Sequence, residues 1–164
     1  MKILNPSLDA RGLRIALVVS RFNHLISIRL LESARDTLYA HGLDPVDLEI
    51  YWVPGAFEIP LAASRLATSG RFDAIVVLGS VIRGGTPHFD YVCHGVTEGV
   101  REVMRESGVP VGFGVLTTDD IDQALARAGG SEGNKGGEVA LAAIEMARFP
   151  QSFPPAAPAE SAKS

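Results

Sequence analysis

One cysteine stands in the 164 residues, Cys93, so no disulfide can close within the chain and a cysteine-based metal centre lacks ligands. No apolar run approaches the roughly 20 residues that a membrane-spanning helix needs. The opening stretch MKILNPSLDARGL has no apolar segment of the kind a secretory signal carries, and a reducing cytoplasm is the expected compartment. Clustered positive charge is missing too. Lys and Arg number 15 against 19 Asp and Glu, the formal net charge is -4, and the cations are scattered. That balance argues against nucleic acid and against anionic membrane surfaces as partners. Signature loops are also absent. No GxGxxG follows the first strand-like segment, which leaves a dinucleotide site unsupported. Lys135 falls short of a nucleotide phosphate loop, because Asn134 separates it from Gly133 and Gly136 stands where Ser or Thr is required. No Cys/His cluster supports zinc, and no Ser or Cys sits in a nucleophile motif.

What is present fits one domain, able to bury roughly 70% of its unfolded-state surface. Hydrophobic residues make up 46% of the chain, a surplus for a monomer of this size that points to subunit interfaces. Strand and helix patterns alternate. Residues 1–13 read as an N-terminal arm with a short edge strand at Lys2 to Leu4, which either pairs with another chain or is loose. Residues 14–149 read as the α/β domain, and 150–164 as a Pro/Ala-rich disordered tail.

Within the domain, strands are predicted at Arg14 to Ser20, Asp47 to Val53, Ala74 to Val81 and Pro110 to Leu116. Helices are predicted from about Leu25 to His41, Phe57 to Thr68, His88 to Ser107, Ile121 to Ala128 and Lys135 to Phe149. On the first helix Ile28, Leu31, Ala34 and Leu38 share a face; on the third, Val92, Val96, Val100 and Val103 do. Asn23 is a candidate side-chain N-cap, and Gly42 a C-terminal stop. Asp119 and Asp120 suit a helix cap better than a metal. Residues 129–137, GGSEGNKGG, read as a break between helices. Helices between successive strands demand right-handed crossovers, and hence a parallel sheet covered on both faces. Ligands bind such sheets outside the carboxyl ends of the strands. Four loops meet there: Arg21 to Asn23, Pro54 to Glu58, Val81 to His88 and Phe113 to Thr118.

That rim carries chemistry that can be read in two ways. The run AIVVLGSVIRGGTPH is a buried strand feeding a glycine-rich turn and a helix start, which is either an anion site or a plain connection. Phe22 either stacks on a planar ring or staples the core. Glu58 either accepts hydrogen bonds from sugar hydroxyls or complements the dipole of its helix. His88 is either a general acid or base, or a surface residue.

Five stretches in order resemble the 6,7-dimethyl-8-ribityllumazine synthase family of riboflavin biosynthesis: SRFN, VPGAFEIP, LGSVIRGGTPHFDYVC, FGVLTTD and ARAGGSEGNKGGEVA. The likeness covers about residues 12–148. It implies a three-layer αβα sandwich, a flavodoxin-like parallel four-stranded sheet with the N-terminal strand added. It implies condensation of 5-amino-6-(D-ribitylamino)uracil with 3,4-dihydroxy-2-butanone 4-phosphate, without cofactor or metal. Phe22 is then expected to stack on the pyrimidine, with Val81 and Ile82 alongside, and Ala56, Phe57 and Glu58 to line the pyrimidine and ribityl part. Gly85 and Thr86 are expected at the phosphate, and His88 as proton relay. Phe113, Arg127 and Lys135 are expected from a neighbouring copy, Arg127 clamping the phosphate. The resemblance further implies homopentamers or their multiples, decamers or sixty-subunit shells. A non-catalytic shell or a flavin- or lumazine-binding protein on the same fold is the alternative. Pro6 in the N-terminal stretch stands outside the family pattern and bears on strand exchange between neighbours.

Overall fold

The computed structural model describes Met1 and residues 3–152. Four strands form one parallel sheet: β1 (Ile15–Ser20), β2 (Leu48–Val53), β3 (Ala74–Ile82) and β4 (Val111–Thr118), in the order β2-β1-β3-β4. Helices α1 (His24–Ala40), α2 (Ile59–Thr68), α3 (His88–Ser107), α4 (Ile121–Arg127) and α5 (Lys135–Ser152) cover it. The predicted three-layer α/β architecture is what is seen. Most strand ends fall within one or two residues of expectation, because the central strands are continuous apolar runs between polar loops.

Alternation along the strands sorts the core into two layers. Ile15, Leu17 and Val19 of β1, with Ala74, Val76 and Leu78 of β3, face α1 and α5. Ala16 and Val18, with Ile75 and Val77, face α2 and α3. All of these are buried, and each fully buried Leu, Ile or Val contributes about 1.5–3 kcal/mol. Val96, Val100 and Val103 carry the α3 stripe as expected. The α1 face is wider than the predicted one: Leu31, Ala34 and Leu38 are buried as expected, Ile26 and Leu30 are buried as well, and Ile28 is half-buried at its margin. Both α1 and α5 press on this layer, so the buried arc is wider than one stripe.

Two local features differ from the sequence reading. A two-stranded hairpin, β5 (Ala128–Gly130) and β6 (Gly133–Asn134), occupies the glycine-rich break. α5 continues past Phe149 and Pro150 to Ser152. At the other end Ile3 and Leu4 form no strand within the single chain, and both side chains are exposed; Lys2 lies outside the described residues, as does the tail beyond Ser152. The inner end of the arm is anchored. Ala10 and Leu13 are buried, and Arg148 donates from Nε to the Asp9 carbonyl at 2.8 Å and from Nη2 to the Arg11 carbonyl at 2.5 Å. Among the described residues no helix is long and apolar enough to cross a membrane.

Candidate active site

The backbone of the β1 loop continues the β1–β2 ladder past both strands. Arg21 N donates to the Val53 carbonyl at 2.9 Å and Phe22 N to that of Pro54 at 3.1 Å. This extension carries Phe22 to the rim with its ring 70% exposed, so it is no core staple. Across from it, a tight turn over Ala56–Glu58 leads into α2 with Pro60 in the first turn. Gly55 permits the two to meet: a Cβ there would stand 2.8 Å from Phe22 Cδ2 and 3.1 Å from Glu58 Oε2. Its missing side chain lets an aromatic face and a carboxylate share one wall.

Phe22, Ala56, Phe57, Glu58, Val81, Ile82 and His88 line a single cleft of about 520 Å³. Asn23, Gly55, Ser80, Tyr91 and Val92 complete its lining. Sequence reasoning passed over these five as site residues. For Tyr91 and Val92 the signal was available, since they follow His88 by three and four positions and share its helix face. Ser80 is notable for its hydroxyl. The residue is 3% exposed, and its Oγ has no hydrogen-bond partner within the protein. The Ser20 hydroxyl on β1 is buried and without a partner in the same way.

Asn23 departs from its expected role. Its side chain makes no cap to α1. Instead Nδ2 donates to the Ser80 carbonyl at 2.7 Å, while its own carbonyl accepts from Ile26 N and Ser27 N. A left-handed backbone, φ 56° and ψ 47°, turns the side chain away from the helix amides.

Between β3 and α3 the turn Gly84-Gly85-Thr86-Pro87 is exposed. Arg83 braces its base. The backbone N–H of Arg83 donates to Thr118 O at 2.9 Å, Nε pairs with Asp119 Oδ1 at 2.9 Å, and Nη1 with Asp90 Oδ1 at 3.3 Å. Its guanidinium also lies 4.2 Å from the centroid of the Phe89 ring. The hydrogen bond to Asp119, followed by the charge of Asp90, raises the arginine pKa above its ordinary value. The paired acids thus separate in function: Asp119 holds Arg83, and Asp120 caps α4 by accepting from Gln123 N at 2.8 Å. Among the described residues no group of three or more His, Cys, Asp or Glu side chains is arranged to hold a metal ion.

The remaining predicted residues stay out of this cleft. Phe113 sits mid-strand on β4, opposite Val77, half-buried against the α2–α3 layer. Arg127 ends α4, where Nη1 donates to the Gln123 carbonyl at 3.1 Å. Lys135 opens α5 and pairs with Glu138. A larger, open groove of about 920 Å³ lies between α1 and the β5–β6 hairpin, and none of the predicted site residues lines it.

With this geometry in view, comparison with known families adds the assignment. The sequence model of 6,7-dimethyl-8-ribityllumazine synthase matches residues 12–151, nearly the whole described chain and all five rim and hairpin stretches. A match over that span shows that the chain belongs to the 6,7-dimethyl-8-ribityllumazine synthase family.

Proposed function

We propose that catalysis takes place in the cleft at the tips of β1, β2 and β3, and that a second copy of the chain completes it. The enzyme is a transferase of riboflavin biosynthesis. It joins 5-amino-6-(D-ribitylamino)uracil to 3,4-dihydroxy-2-butanone 4-phosphate and releases 6,7-dimethyl-8-ribityllumazine, phosphate and water. The observation that carries the cleft assignment is the convergence of Phe22, Ala56, Phe57, Glu58, Val81, Ile82 and His88 on one wall system.

In this reading Phe22 stacks on the pyrimidine, with the ends of β3 at Val81 and Ile82 along its edge. Ala56, Phe57 and Glu58 hold the ribityl chain, the carboxylate accepting from its hydroxyls. The amine attacks the ketone and the carbonyl oxygen leaves as a first water, giving an imine. Phosphate then leaves, and the ring closes with loss of water. His88, at the mouth, moves protons between these steps. Gly85 and Thr86 offer backbone and hydroxyl donors to the phosphate. Most of the acceleration comes from holding two reactants together, which can be worth roughly 7–11 kcal/mol.

The rest of the site comes from a neighbour. Phe113, Arg127 and Lys135 lie away from their own cleft, and Arg127 suits a bidentate grip on a phosphate ester. β2 is an edge strand, and the arm at Ile3 and Leu4 offers apolar side chains and unpaired backbone to a neighbour. A homopentamer, or a multiple of it, is the expected assembly, working in the cytoplasm. The domain runs from residue 14 to about 149, with the arm before it. No observation favours the alternative of a non-catalytic shell or flavin-binding protein. Mixing the purified chain with both substrates and following the fluorescence of the lumazine tests the site. Light scattering on the same sample tests the assembly, and a monomer with full activity would overturn the shared cleft.

A further inference from the structure

We propose that Asn23 is a positioning residue for the pyrimidine substrate, acting through Phe22. Among the described residues it is the only non-glycine with positive φ. Asparagine tolerates that left-handed region better than most side chains, because its short amide can bond locally. Here the amide bonds across the sheet. It donates to the Ser80 carbonyl at 2.7 Å, joining the β1 loop to the end of β3. Phe22 is tied on its other side to β2, through Arg21 N to Val53 O and Phe22 N to Pro54 O. Beyond Asn23, the His24 ring stacks on Trp52 of β2 with centroids 5.4 Å apart. The loop is thus fastened twice to β2, while Asn23 supplies a tie to β3. Without it the exposed Phe22 ring keeps its height above the sheet but is free to tilt from the Val81–Ile82 edge. The bond also occupies the Ser80 carbonyl at the cleft wall.

This inference rests on the reading of Phe22 as the pyrimidine platform, and the test separates the two. N23G keeps the left-handed backbone and removes the amide. N23D keeps the shape but sets a carboxylate against the Ser80 carbonyl, and it decides the matter should N23G not fold. In the full-length protein, steady-state kinetics on each substrate and fluorescence titration with the lumazine product are compared with wild type. Loss of one hydrogen bond predicts about a 3–10-fold rise in KM for the pyrimidine and in the lumazine Kd. KM for the butanone phosphate stays within about twofold and the melting temperature near wild type. If F22A leaves the pyrimidine KM unchanged, the platform reading falls. If F22A raises it and N23G and N23D do not, the role of Asn23 falls. An equal rise in both KM values also overturns it, since that reports general loosening rather than positioning.

Discussion

The rim at β1–β3 and the segment from β4 to α5 carry the two halves of the predicted site, and they are built differently. On the rim, loops from three strands close on a cleft to which one chain brings Phe22, Glu58 and His88. On the other side, Phe113, Arg127 and Lys135 are each engaged by their own surroundings: a core layer, the Gln123 carbonyl and Glu138. On the proposed reading, half of the chemistry is folded into the protomer, and the other half is offered to a neighbouring copy. Folding of one chain can then preorganise the first half alone, and the proposal leaves the geometry of the second to assembly.

The sharpest way to break that contrast is to mix two damaged chains. F22A/H88A disables the rim, and R127A the displayed half. Each parent is expected to be weak, and co-refolded mixtures to recover activity well above either, because some seams then pair two intact halves. Activity equal to the average of the parents would mean that a single chain supplies the whole site. Next in size is H88A. One acid–base group typically supplies 10²–10⁴-fold, and a loss near the low end, about 10²-fold in kcat, is expected because positioning carries more of the rate. A folded H88A protein that binds both substrates and is completely inactive would reverse that ranking. R127A is expected to raise KM for the phosphorylated substrate by roughly 10–100-fold, the range for hydrogen bonds to a charged group, with little change for the pyrimidine. An equal effect on both substrates would remove Arg127 from the phosphate.

The smallest effect concerns the β2 edge, away from both halves. There the Tyr51 hydroxyl donates to Glu49, and Arg71 pairs with the same carboxylate. Tyr51 first, then Arg71, lowers the Glu49 pKa below its ordinary value of 4.5, against the opposing pull of desolvation. A depressed carboxyl pKa stabilises the fold above the unfolded-state value, and that contribution is lost as pH falls through the folded-state value. E49Q should therefore cost a little stability at neutral pH and nothing well below pH 4. Urea midpoints of both proteins at the two extremes check it, and an unchanged difference between them would discard the linkage.

The contrast between the halves also bears on legibility. β1 and β3 are buried on both faces, so their apolar runs marked both strands and the rim at their ends. Motif order carried part of the cleft lining and passed over Asn23, Gly55, Ser80, Tyr91 and Val92. Periodicity missed β5 and β6, because strands of three and two residues, mostly glycine, have no alternation to read. It also misassigned the Asn23 side chain. An Asn before a helix ordinarily caps it, and only the fold brings the Ser80 carbonyl, 57 positions away, into reach. That Phe113, Arg127 and Lys135 avoid their own cleft is a matter of tertiary placement, and came from the family resemblance rather than from any pattern within the chain.

The double coverage of β1 and β3 has a consequence for how such a protein can change. Because their apolar side chains are already sealed between helices, the tips can be recut residue by residue with little penalty to the scaffold. Substrate preference and thermal robustness then become separate traits, open to adjustment one at a time.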